Sequence, residues 1–182
     1  MIRLALWLTG GALLGGIVHL STVLMLPTTA TQDAYLRLTP IAPVNQVVLL
    51  PAPTPEGSVL PFMDPSFATA VCRYDLTGGS LKLTSRLSLA YTSVSLYTRN
   101  GVAYYAINDR AAGHRTIEFD LMTAEQHSQL PEEEDVTAAD RLIVESPSLT
   151  GLIVLRALAP EPGLMPNAVD TLTQARCRRN AS

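Results

Sequence analysis

The chain has 182 residues and a formal net charge of −3, with 13 Lys and Arg against 16 Asp and Glu. That length holds one domain with a real core, and the mildly acidic balance, without a basic stripe interleaved with aromatics, excludes a nucleic-acid partner. The 47% hydrophobic content is unevenly spread, and that unevenness divides the chain.

The first division is the anchor, residues 1–26. From Leu4 to Leu26 no residue is charged; Arg3 precedes the run and Pro27 follows it. As a helix it extends roughly 34 Å, enough to cross a hydrocarbon core of about 30 Å. A secretory signal has an apolar core of about 7 to 15 residues before a small-residue cleavage site. This run is longer and ends in bulky Leu24-Met25-Leu26, so an uncleaved transmembrane helix is the expectation. Arg3 and the α-amino group lie before the span, while Asp33 and Arg37 roughly cancel beyond it. The positive-inside bias then places the chain in the inner (cytoplasmic) membrane as a single-pass protein, with its C-terminal domain in the periplasm. Gly11 and Gly15 form a G-x-x-x-G, a face suited to weak self-association, though such glycines are also ordinary in membrane helices. His19 has no carboxylate partner in the span and reads as a neutral, satisfied histidine.

Residues 27–63 read as a Pro-rich stalk. Eight of the thirteen prolines lie between Pro27 and Pro65. Such a segment is extended and stiff, with Val47-Val48-Leu49-Leu50 as a short edge strand, and it becomes part of the domain surface.

Residues 64–182 read as the β-domain. The stretch Ala70 to Leu87 alternates around Gly78-Gly79, a two-residue hairpin turn that pairs Tyr74 with Leu83 and Asp75 with Lys82. A second hairpin, Thr92 to Ile107, turns at Asn100-Gly101 as type I′ and pairs Val94 with Ile107, Leu96 with Tyr105 and Tyr97 with Tyr104. Val94, Leu96, Tyr105 and Ile107 form its core face. Ser93, Ser95, Tyr97, Tyr104 and Ala106 form the opposite one, either a binding platform or an ordinary solvated face. Residues 115–121 alternate again, and Thr123 and Gln126 have capping-box spacing for a short helix. Residues 141–145 and 152–156, joined through Pro147 and Gly151, read as a third strand pair covered on both sides. A helix from about Pro166 to Arg178 closes the chain. The fold class is mainly β: an antiparallel β-sandwich or jelly-roll-like domain with a C-terminal helix.

Cys72 and Cys177 are an even pair, and in an oxidising compartment they are expected to form a disulfide from an inner-facing strand position to the last turn of that helix. Without a C-x-x-C, a thioredoxin-like role has no support.

Asp64-Pro65, Ala70-Val71-Cys72-Arg73-Tyr74-Asp75-Leu76, the glycine turn, and Ser93-Val94-Ser95-Leu96-Tyr97 leading to Ile107-Asn108-Asp109-Arg110 together resemble a bacterial family. The pattern is similar to envelope proteins of domain-of-unknown-function family 1254 and, more loosely, companion family 1214. It spans roughly Pro61 to Phe119, and the anchor and Ala175-Arg176-Cys177 suit the small single-domain members. An aromatic residue commonly precedes the first serine of the second hairpin in that family; Thr92 stands there, a departure that weakens the carry-over of a binding face. The resemblance implies a jelly-roll-like domain in a proteobacterial envelope and no established activity.

Hydrolytic and phosphate-binding motifs are absent, and His114 and His127 lack metal-ligand spacing, so neither a metal nor a cofactor is expected. Glu132-Glu133-Glu134-Asp135 reads as a solvated loop. The best polar cluster is Asn108, Asp109, Arg110 and His114, either an anion or acid–base site or a polar turn capped by Asn108. Three classes follow. An envelope interaction or structural module with a protein partner is favoured; a small-molecule-binding sandwich is second. An enzyme built on Asp109, Arg110 and His114 is least supported.

Overall fold

The computed structural model describes residues 2–29, 33–112, 115–130 and 142–180, in two compact units, Met1–Gln32 and Asp33–Ser182. The first unit is helix α1 (Ile2–Thr29). Its Ile2–Leu26 portion is long and apolar enough to cross a membrane, and none of it is buried in protein. The Thr9 and Thr22 hydroxyls donate to the Ala5 and Val18 carbonyl oxygens, both at 2.8 Å. Both polar groups are therefore satisfied within the helix, as an apolar solvent requires.

The second unit is a two-layer β-sandwich. Its elements are α2 (Ala34–Leu38), β1 (Val47–Leu49), β2 (Phe67–Asp75), β3 (Leu81–Arg86), β4 (Thr92–Thr98), β5 (Ala103–Asn108), β6 (Thr116–Thr123), α3 (Ala124–Ser128), β7 (Ile143–Ser146), β8 (Thr150–Leu158), α4 (Met165–Thr173) and β9 (Arg176–Arg179). One sheet has the order β1-β2-β8-β4-β5 and is antiparallel throughout. The other has the order β7-β6-β3-β9, with β6 and β7 parallel. Inward side chains of both sheets, among them Tyr74, Leu83, Leu96, Phe119, Ile153 and Leu155, make one fully buried core.

The expected hairpin at Gly78-Gly79 does not form, because β2 and β3 lie in different sheets. Seven consecutive residues of β2 are buried, so both of its faces need cover, whereas β3 alternates and keeps a wet face. Pairing them in one flat ribbon would leave one face of β2 in water. The chain instead turns a corner between the layers, with Gly79 at φ +119° and the Arg179 guanidinium lying over Gly78. Asp75 therefore does not face Lys82. The Thr77 hydroxyl and N–H donate to it at 2.7 and 2.9 Å and hold its carboxyl below the usual carboxylate range. Lys82 pairs with Glu118 across β3 and β6. The third expected pair is split likewise: β7 joins the second sheet, and β8 runs between β2 and β4 in the first.

The second unit begins at Asp33 and includes residues 33–63, from the stretch expected as a stalk that becomes part of the domain surface. Asp33 caps α2 by accepting from the Leu36 N–H at 2.7 Å. Tyr35, Leu38, Ala42 and Leu50 are buried against Val71 of β2 and Leu152 of β8, on the outer face of the first sheet. The expected edge strand is present as β1.

The closing helix ends at Thr173, and residues 176–179 form β9 instead of a last helical turn. The reason lies in the period: Cys177 is buried while Arg176 and Arg178 are exposed, an alternation of two that suits a strand beside β3. The Cys72–Cys177 disulfide is present, with the Cα atoms 6.5 Å apart, and it joins β2 to β9 across the two layers rather than strand to helix. Replacing both cysteines by serine is expected to destabilise the sandwich by about 2 to 5 kcal/mol, measured as a denaturant midpoint in the full-length protein. Wild type treated with reductant should shift equally.

Candidate functional site

The structure places Ser93 and Ser95 on the outer face of the first sheet, half-buried, next to Arg156 of β8. Register explains the neighbourhood. Thr69 of β2 pairs with Arg156, Arg156 with Ser93 of β4, and Ser93 with Asn108 of β5, giving one polar row across four strands. The next row is Val71, Val154, Ser95 and Ala106.

The far rows of this face lie under residues 33–63, and Tyr97 packs against that cover beside Tyr35 and Leu38. Two guanidiniums, Arg73 and Arg99, sit 4.4 Å from the Tyr35 ring centroid. Cation–π attraction of this kind helps hold the cover down. Arg73 also donates to the Ala42 carbonyl oxygen at 3.1 Å.

Tyr104 is not on this face. Only Gly101 of the Asn100-Gly101 pair has positive φ (+80°), and the Gly101 N–H bonds the Thr98 carbonyl at 3.0 Å. The loop is thus three residues, Arg99 to Gly101, closed by the Thr98 N–H to Val102 carbonyl bond, and not the two-residue type I′ turn. The longer loop shifts Tyr97 onto Ala103, and a bulge at Tyr104 restores the expected Leu96–Tyr105 and Val94–Ile107 pairs. A bulged residue shares its neighbour's side of the sheet, so Tyr104 turns inward with Tyr105. Its hydroxyl donates to that of Tyr74 at 3.1 Å, and the Tyr74 hydroxyl lies 3.0 Å from Ser146 Oγ. Gly151 is required here, since a Cβ would come within 2.4 Å of the Tyr74 oxygen.

The loop after β5 is a polar turn. The Asn108 side-chain oxygen accepts from the Arg110 and Ala111 N–H groups at 3.1 and 3.3 Å, and Arg110 is exposed. The Asp109 N–H bonds the Thr92 carbonyl at 2.9 Å, while its Oδ1 is buried with no hydrogen-bond partner among the described residues. His114 lies outside the described residues, as do Glu132 to Asp135. Among the described residues no cluster of His, Cys, Asp and Glu is arranged to hold a metal.

What the outer face does hold is a groove of about 360 Å³. Ser93, Ser95, Ala106 and Ala111 supply small side chains to it, and Phe67, Tyr91 and Arg156 supply large ones. Phe67 and Tyr91 meet edge-to-face, centroids 6.5 Å apart. Sequence reading of the second hairpin missed Phe67, Tyr91 and Arg156, because β2 and β8 reach this face only through non-local pairing. One signal was present: Arg156 is the single charged position in residues 152–158, LIVLRAL. A wider cleft of about 760 Å³ between β1 and β9 carries three arginines, but Arg176 donates to its own Thr173 and Ala175 carbonyls and Arg179 lies over Gly78.

No family model matches the chain, and no curated protein matches it in sequence. Crystal structures of two proteins are among those that share the fold. The VPA0106 protein from Vibrio parahaemolyticus aligns with TM-score 0.58 and 13% identity over 82% of this chain and 36% of its own. An uncharacterised protein from Burkholderia cenocepacia aligns with TM-score 0.51 and 14% identity over 81% of this chain and 39% of its own. This chain thus matches little more than a third of either neighbour's length, and the likeness is one of fold.

Burial pushes the Tyr104 phenol well above its ordinary value of 10.0. A raised phenol contributes stability that is complete below the unfolded value and is lost above it, as the unfolded chain ionises first. Wild type should therefore lose stability from pH 10 upward more steeply than Tyr104→Phe, read from urea midpoints at pH 8 and pH 11. At pH 8 the variant should cost about 1 kcal/mol, for one lost hydrogen bond.

Proposed function

We propose that the chain is a single-pass inner-membrane protein whose C-terminal unit stands in the periplasm and docks an envelope protein over the groove of the first sheet. The apolar helix Ile2–Leu26 with Arg3 before it supports the anchor and its orientation, and the disulfide fits an oxidising compartment. The likeness of Ala70–Leu76 and Ser93–Tyr97 to envelope proteins of family 1254 supports the same setting.

One observation carries the docking reading. The chain covers part of the sheet's outer face with its own residues 33–63, and among the described residues none covers the groove beside it, where Tyr91 is 39% exposed and Arg156 is exposed next to Phe67. Exposed aromatic area beside hydrogen-bonding side chains and an arginine is the composition of an interaction surface.

Two measurements test this. Alkaline carbonate should leave the protein in the membrane, and a C-terminal alkaline phosphatase fusion should be active; release or an inactive fusion counts against the anchor. A photo-crosslinking residue at Ser95 should give a discrete adduct in living cells, whereas one at Glu118, exposed on the other sheet, should give none. Equal labelling from both positions would refute a docking face.

A further inference from the structure

We propose that the groove recognises a carboxylate side chain lying next to an aromatic or aliphatic one, in an extended acidic–apolar segment of the partner, with Arg156 as the reading residue. This deepens the docking reading above and rests on it.

The case begins with charge. Arg156 is exposed, and none of the hydrogen bonds, ion pairs or ring contacts among the described residues engages it. The other outward arginines of this sheet are held: Arg73 and Arg99 stack on Tyr35, and Arg99 lies 3.9 Å from Asp33. Arg156 is thus the unpaired cation of the row, and its cross-strand neighbours Ser93 and Thr69 are hydroxyl residues, not acids. A guanidinium presents a planar fork that matches a carboxylate with two parallel hydrogen bonds, and a nearby hydroxyl can donate a third.

Shape supplies the second half. A solvated sheet face is commonly filled by long polar side chains, but here Ser93, Ser95, Ala106 and Ala111 are small while Phe67 and Tyr91 are large. The result is a concavity with a cationic side and an aromatic side, at the lower end of the volumes that hold a bound group. An isolated anion would leave the aromatic pair unused, and an apolar group alone would desolvate Arg156 without compensation. The polar row ends at β5, the edge strand of the sheet among the described residues, where a bound chain can continue. This favours an acidic side chain within a segment over a chain end.

The test uses the full-length protein in nanodiscs and three small probes: N-acetyl-Glu-Phe-amide, its neutral counterpart N-acetyl-Gln-Phe-amide, and N-acetyl-phenylalanine, whose carboxylate is a chain end. The glutamyl probe should bind at least tenfold more tightly than the glutaminyl one by titration calorimetry, with an advantage that shrinks as salt is raised. Arg156→Gln should abolish the difference without moving Tm, since Arg156 has no partner to lose, and Arg156→Lys should retain part of it. Equal binding of acid and amide, no binding of the glutamyl probe, binding of N-acetyl-phenylalanine alone, or indifference to Arg156→Gln would each overturn the proposal. Crosslinking from Ser95 in the Arg156→Gln protein separates the two readings. If the adduct persists while the probes fail, the docking face stands and carboxylate recognition falls; if wild type gives no adduct, the docking reading itself falls.

Discussion

The central pair of the first sheet, β2 and β8, carries apolar side chains on both faces, and the rest of the Asp33–Ser182 unit is arranged around covering them. Inward, Tyr74, Ile153 and Leu155 meet the second sheet. Outward, Val71, Leu152 and Val154 would face water were the second sheet the only cover; the chain buries the first two and half-buries Val154 with α2, β1 and the segments that follow each of them. Burial of a side chain of this size stabilises by about 1.5 to 3 kcal/mol relative to exposure, so the cover is a major part of the fold. Arg73 shows how closely it is fitted. It lies on the outer face of β2 and is 8% exposed, and it is tolerated because the Tyr35 ring and the Ala42 carbonyl oxygen stand in for water.

Local pattern made the elements legible, and non-local pairing decided what the pattern could not. Alternation in Leu81–Arg86, the apolar run at residues 152–155 and the Thr123–Gln126 capping box each marked an element that exists, the last with both reciprocal hydrogen bonds in place. Which sheet a strand joins depends instead on what can cover its second face. The seven buried residues of β2 hold that information, yet Gly78-Gly79 and the charges of Asp75 and Lys82 offer a cheaper local explanation that is wrong. At the C-terminus the arginines of residues 176–179 suit a helix dipole and an exposed strand face equally well. Only the position of Cys177 opposite Leu83 separates the two.

The candidate face was half legible for the same reason. Ser93 and Ser95 follow from strict alternation within β4. Tyr104 does not, because one extra loop residue at Arg99–Gly101 and one bulge cancel each other at the strand ends while reversing the residue between them. Two compensating irregularities leave the outer register intact, so no pairing rule applied from the ends reveals them. Phe67, Tyr91 and Arg156 become neighbours only once β8 is placed between β2 and β4.

The border of the groove is set by the same constraint that shapes the fold. Going along β2 and β8, outward positions change from Arg73 and Leu152, through Val71 and Val154, to Thr69, which is still buried, and Arg156, which is exposed. Extending the cover over Arg156 would bury an unpaired guanidinium, which costs more than the added apolar contact returns. Retreating from Val71 and Leu152 would expose the central pair. The open part of that face therefore has a fixed edge and a fixed charge. A partner that brings its own carboxylate is the kind of surface that can close it without leaving that charge unpaired.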